Sequence, residues 1–533
     1  MSQPAHEDLV WSRVHPVTPA VKGWKVLVVL LFIVGQQVTS NVREAQDVVD
    51  SLGWMPLVGA ILGITLIGFV YSYLAWRMTR YAVDAEAVYL QTGVLFRQQR
   101  SARLDRVQAI DVVQPVLARI LGLAELKLEV AGGADSAVHL AFLKEDGAQR
   151  LRNELLARAA GVSFGTEENP EAPAAPENEV LAVTPGRLVG SLVRSGSMIA
   201  GVVVVIGLVV TAVAAGSASV IVGALPVMLG VGAMLWTRFA GEFNFRAAQS
   251  PDGIRLRHGL LESRAQTVPP GRVQAVELTQ GPLWRRKDWW RVQINVAGYG
   301  VTDQATESVL LPVGDRDEAL LALWLVLPDL GTEDARGLLD EALAGSGQER
   351  GFVTSPRRAR WLDPWSFRRT GYALTERALL ARTGRFVRRL VVVPHARTQS
   401  VGLNQGPLQR RLGLCSFALH STPGPVTPTV PHLDREVAGV LLLEQAARAR
   451  TARASAGPER WMLELRDQAD AARAQAAREA GVPLEAVPRV AAHQEPSYQE
   501  PSRQEPIHQE PTGPAQQAPA HQGPARPEQV PPS

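Results

Sequence analysis

Arginine and glutamine recur as close pairs in three stretches of this chain, Arg106-Val-Gln108, Arg272-Val-Gln274 and Arg397-Thr-Gln399. A guanidinium presents a planar fork of donors suited to carboxylate or phosphate, and a carboxamide both donates and accepts. Such a pair can grip an anion, or it can bridge neighbouring backbone strands. Two further places are basic beyond this shared pattern. One is Trp284-Arg285-Arg286-Lys287-Asp288-Trp289-Trp290-Arg291; the other is Arg388-Arg389 taken together with Arg410-Arg411. Interleaved rings and cations can sit at headgroup depth with the cations on phosphate. An ordinary solvated arginine face, or a tryptophan core, is the competing reading.

None of this is bond-breaking chemistry. The chain has no Walker-type phosphate loop, no HExxH and no GxSxG, and its histidines are scattered without metal-ligand spacing. One cysteine, Cys415, cannot form an intramolecular disulfide. The expectation is a protein that is not an enzyme, with no cofactor, metal or small-molecule substrate. Net charge is only +3, but Gly351–His420 holds thirteen arginines against Asp363 and Glu376. A segment so basic suits an anionic partner, lipid headgroups before nucleic acid.

Spacing is the stronger signal. Gly93, Gly259 and Gly384 each stand fifteen residues before Gln108, Gln274 and Gln399; six residues further come Gln114, Gln280 and Gln405, and five further Arg119, Arg285 and Arg410. Fixed internal spacing denotes a repeated unit. The simplest role for the recurring glycines, arginines and glutamines is then structural: a turn needing positive φ, and side chains tying strands together.

Long uncharged runs accompany the first two copies. No charge occurs between Lys25 and Arg43, between Asp50 and Arg77, or between Arg194 and Arg238. A spanning helix takes roughly 20 apolar residues. The third run holds 43 positions and is broken at Gly216-Ser-Ala-Ser219, so it predicts a second hairpin. Arg13, Lys22, Lys25, Arg77, Arg80, Arg187, Arg194, Arg238 and Arg246 flank the outer ends, whereas Glu44, Asp47 and Asp50 lie in the first connector. The positive-inside rule then predicts a multi-pass protein of the bacterial cytoplasmic membrane with both termini cytoplasmic.

Around each glycine the sequence predicts short strands and a closing helix: Glu145–Ala160, Arg316–Val326 and Arg435–Arg448. The fold class expected is α+β, two transmembrane helical hairpins plus three cytoplasmic antiparallel β-rolls, each capped by a helix. The boundaries expected are a cytoplasmic segment 1–23, hairpin 24–76, module 77–162, linker 163–196, hairpin 197–237, module 238–330, basic linker 331–360, module 361–450, helical segment 451–485 and a tail 486–533. Gln-Glu-Pro recurs through that tail, a composition that cannot bury a core.

The spacing of Gly, Arg-x-Gln, Gln-(Gly)-Pro-x-Leu and Leu-Gly-Leu after a helical pair resembles the bacterial pleckstrin-homology-like domains of the YdbT-like membrane proteins. The third copy, Gln405-Gly-Pro-Leu-Gln-Arg-Arg-Leu-Gly413-Leu, is the fullest match; the second departs, with Lys287-Asp288-Trp289-Trp290 in place of Leu-Gly-Leu. The resemblance implies a non-enzymatic scaffold whose modules contact the anionic leaflet or protein partners, among them another such membrane protein, in envelope stress or defence. A transporter or channel component and a membrane-tethered nucleic-acid binder are the rivals.

Overall fold

The computed structural model describes residues 11–16, 18, 55–84, 87–93, 97–104, 107–130, 138–159, 178–216, 219–250, 253–268, 270–297, 308–455 and 478. The expected span over 24–43, the tail 486–533 and Arg106 lie outside them, as do nearly all of 451–485 beyond Ser455 and the side chain of Gln108.

One strand order is used three times. The first module comprises β1 (Ser12–Arg13), the helix α1 (Met55–Met78), β2 (Arg80–Val83), β3 (Ala87–Thr92), β4 (Gln98–Arg103), β5 (Val107–Pro115), the short α2 (Val116–Ile120), β6 (Leu123–Val130), β7 (Val138–Lys144) and α3 (Glu145–Ala159). The second has β8 (Asn178–Ala182), helices α4 (Pro185–Val193), α5 (Gly196–Ala215) and α6 (Ser219–Glu242), then β9 (Arg246–Ser250), β10 (Gly253–His258), β11 (Glu262–Val268), β12 (Val273–Gln280), β13 (Trp290–Val296), β14 (Val309–Gly314) and α7 (Arg316–Val326). The third is preceded by α8 (Ala335–Ala344) and has β15 (Val353–Thr354), β16 (Gly371–Leu374), β17 (Ala378–Thr383), β18 (Arg388–Pro394), β19 (Ser400–Asn404), α9 (Pro407–Arg411), β20 (Leu414–His420), β21 (Thr429–Asp434) and α10 (Arg435–Ser455).

Helices enter between the first and second strands of a module. Ser12 pairs with Tyr81, Asn178 with Gln249 and Val353 with Tyr372, so each first strand returns to the sheet after an insertion. In the second module the insertion is α4–α6; in the third it is only residues 355–370, with a 3₁₀ turn at Arg357–Trp361. The described parts of the stretches expected as linkers are therefore structured. The 163–196 stretch contributes β8 and α4, and 331–360 contributes α8 and β15. Leu338, Leu339, Ala342 and Leu343 of α8 are buried, and Arg369 donates to the Ala342 and Leu343 carbonyls, each at 2.8 Å, closing the helix's open C-terminus. Their polar and basic neighbours conceal these elements in the sequence.

The modules share sheets. Strands order as β1-β2-β3-β4, then β7-β6-β5-β11-β10-β9-β8, then β14-β13-β12-β18-β17-β16-β15, then β19-β20-β21. The three-stranded half of one module thus continues antiparallel into the four-stranded half of the next. The register is the same at both joints: Gln114 faces Ser263 and Gln280 faces Arg388, each partner four residues after its turn glycine. Gly259 (φ 115) and Gly384 (φ 74) make that turn, and a Cβ at either would strike the carbonyl oxygen three residues on. A one-residue slip would turn every side chain to the opposite face, so this turn fixes which residues are inside.

The Leu390-Val391-Val392-Val393 run shows the consequence. Leu390 and Val392 join the second module's core, whereas Val391 and Val393 join the third's. A strand covered on both faces reads as a continuous apolar run instead of an alternation. Across the joint Leu278 faces Leu390, both fully buried. Leu390→Ala should cost about 2–5 kcal/mol. Chemical denaturation should then show modules two and three lost together in a single transition; two separated transitions would mean independently folded modules.

Candidate membrane-facing site

Among the described residues one helix, α5, is long and apolar enough to cross a membrane, over Gly196–Ala214. The Ser195 hydroxyl caps its start, accepting from the Met198 amide at 3.2 Å, and Gly216 (φ 58) ends it. Gly201 lets α6 approach closely, since a Cβ there would meet Val231. α4 buries Leu188, Ser191 and Leu192 and leaves Val189 and Val193 exposed, the division expected of a helix lying along an interface.

The base of this helical pair is clasped by the second module. Trp284 donates through Nε1 to the Ser191 carbonyl of α4 at 3.1 Å, Trp289 packs edge-on to Trp284, and Arg194 lies 5.8 Å over the Trp289 ring. Arg187 of α4 reaches Glu318 of α7 at 2.9 Å. At the end of α6, Glu242 accepts from Arg291 at 2.7 Å. The β10–β11 turn donates backbone amides from Gly259 to the Phe243 carbonyl (2.8 Å) and from Leu260 to that of Ala240 (2.7 Å). Helices and sheet therefore meet through a buried, hydrogen-bonded seam.

The expected headgroup contacts divide on this geometry. Trp284 and Trp290 are buried, the latter donating to Asp288 at 3.0 Å, and Trp289 is half-buried. All three serve packing, because indole area is worth more against α4 and the sheet than in water. Arg285 donates to the carbonyl oxygens of Arg385 and Phe386, stapling the second module to the third module's turn. Arg286 and Lys287 are exposed.

Arg388 and Arg389 lie in the joint. Arg388 faces Gln280 at 3.4 Å, and Arg389 pairs with Glu277 at 3.1 Å, whose carboxyl is pushed up by burial against the pull of Arg389. Arg410 and Arg411 are exposed at the end of α9, between β19 and β20 of the separate three-stranded sheet. Arg119 is exposed in the equivalent place, the last turn of α2. Of the other signature residues, Gln274 donates to the Arg272 carbonyl at 3.1 Å, Arg397 approaches Gly271, Gln399 donates its backbone amide to His420, and Gly93 has φ 109.

Sequence reasoning missed the most exposed aromatic cluster. Trp361 is 72% exposed, Trp365 64%, Phe386 57% and Val387 49%. The Trp365 and Phe386 rings are 5.7 Å apart, and the Arg385 amide donates to the Ser366 hydroxyl at 3.2 Å. A signal was present: Trp236, near the end of α6, and Trp361 both stand twenty-three residues before their turn glycines. The third module's short insertion thus carries a tryptophan where the second's carries the end of a helix. Arg357, Arg360, Arg368 and Arg385 accompany it, with no ion pair among the described residues; Arg360 lies 5.5 Å over Trp361.

Repeated seven-strand-and-helix modules on this plan define a class. The family model described as Bacterial PH domain matches residues 29–159, 194–323 and 351–449, and the chain belongs to that family. A curated relative, the UPF0699 transmembrane protein YdbT of Bacillus subtilis (strain 168), is 21% identical over 293 residues, half of this chain. The chain spans 59% of that relative's length.

Two expectations follow. Trp284→Ala should destabilise the protein by about 3–5 kcal/mol and loosen α4, read as faster proteolysis near Arg194. His258 is buried beside Phe245, with Nδ1 2.7 Å from the Gly241 carbonyl, and burial foremost, aided by Arg264, lowers its pKa below the ordinary 6.5. The Gly241 carbonyl foremost, then Glu242 and Glu262, oppose that shift. The folded state therefore favours neutral His258. Its contribution is whole above 6.5 and is lost as pH falls through the lower folded value. Melting temperature should drop on acidification, with a shallower slope for His258→Gln.

Proposed function

We propose that this protein is a non-enzymatic scaffold of the bacterial cytoplasmic membrane, crossing it in two helical hairpins and holding three PH-like modules and both termini on the cytoplasmic side. The observation that carries the reading is the insertion of α4–α6 between β8 and β9, with both ends bonded into the module. A module built around its own anchor has little freedom to leave the surface. The transmembrane name of the Bacillus relative supports the same placement.

On this reading the third module has a different anchor. Trp361, Trp365, Phe386 and Val387 enter the headgroup region of the inner leaflet, while Arg357, Arg360, Arg368 and Arg385 meet its anionic lipids. Each basic residue near such a surface is worth about 1 kcal/mol. Continuity supports this: the chain of contacts runs from α4 through Trp284 to Arg285, and from Arg285 to the Phe386 turn. Tethering by the hairpins raises the effective concentration of this weak contact. The remaining exposed module surfaces are left for protein partners.

The test uses the full chain in lipid nanodiscs, in a Cys415→Ala background, with an environment-sensitive fluorophore on Phe386→Cys or on Val213→Cys of α5. Quenching of both by bromine-labelled lipid is expected. Substituting Trp361 and Trp365 by Ser should abolish it at 386 alone. A quenched 213 with an unquenched 386 would remove the third module's docking; no quenching at either would remove the membrane reading itself.

A further inference from the structure

Within the chain, β5 of module one takes β11 of module two, and β12 of module two takes β18 of module three. The equivalent strand of module three, β19, is bonded on one side only among the described residues, to β20. The strand equivalent to β11 and β18 in module one is β4, and it too is bonded on one side only, to β3. Among the described residues, these two edges are the two halves of a joint that the chain makes twice internally.

We propose that β19 of one copy pairs with β4 of a second copy, head to tail, in the register of the internal joints. Gln280 faces the fourth residue after its partner's turn glycine, Arg388. Applied to the open edges, that rule sets Gln405 opposite Arg97 and Leu403 opposite Gln99. Arg388 contacts the Gln280 amide oxygen at 3.4 Å, and Arg97 repeats that pair with Gln405. Both strands are available: Ser400, Leu403 and Asn404 are exposed, as are Arg97 to Ser101. In β12, where the joint is made, all but one residue is buried. Charges on an edge strand deter random partners, yet β18 also begins with two arginines and pairs.

The third copy keeps the whole Gln399, Gln405 and Arg410 spacing that the first two use at their joints. A second copy supplies the missing strand. Such contacts are heterologous, so the array closes into a ring or extends as a filament along the membrane.

The test is disulfide trapping in membranes containing two differently tagged full-length chains, both Cys415→Ala, one with Leu403→Cys and the other with Gln99→Cys. Disulfides demand close Cα approach, so the mixture should give a two-tag product at least about tenfold above either variant alone. Leu443→Cys, on an exposed position of α10, replaces Leu403→Cys as control. Absence of the product, or an equal yield from the control, would overturn the proposal. So would wild-type protein that stays monomeric in mild detergent at all concentrations.

Discussion

Strand pairing across module boundaries is the constraint on which the rest of this structure depends. β5 on β11 and β12 on β18 join the half-sheets of three small modules into shared sheets and pair four strand edges that each module alone would leave open. An open edge is a standing template for misassociation, and joining neighbours in line removes the ones at the joints. The joint also shares cores. Alternate residues of β18 point into different modules, and Ala275 of β12 packs with Leu379, Ala381 and Val391 of the third. A module removed from this series would expose an apolar face, not merely an edge.

From that constraint follows the use of the insertions. A helical pair threaded between the first two strands of a sheet that is itself part of a larger sheet cannot swing freely. The Trp284–Ser191 bond and the Arg291–Glu242 pair close the remaining freedom at its base. Through Arg285 the same base reaches the turn of the third module, which has only a short insertion of its own. Helical pair, clasp and aromatic turn form one contiguous series of contacts.

Some of this was legible in the sequence and some was not, for physical reasons. The Gly–Gln–Gln–Arg spacing was readable because a tight turn and a fixed register tolerate no insertion. Module number followed from it, while the β-rich character came from apolar–polar alternation and the closing helices from segments rich in Ala and Leu. The joints were hidden because an apolar run such as Leu390–Val393 reports burial on both faces without naming the second partner. β8 was hidden because five residues, Asn178 to Ala182, adjoin a polar stretch. The tryptophans at 284 and 290 were placed at a headgroup surface because rings among cations look alike in a core seam and at a membrane. Trp361 and Trp365 are the more exposed pair, and of the two Trp361 was recognisable by its distance from the turn glycine.

Native-state hydrogen exchange on the full chain tests the shared sheets most directly. Amides of β12 and β18, and likewise of β5 and β11, should show matched opening free energies and matched denaturant dependence, because each pair belongs to one cooperative sheet. Amides of β18 that open well below those of β12, with a smaller denaturant slope, would contradict the account.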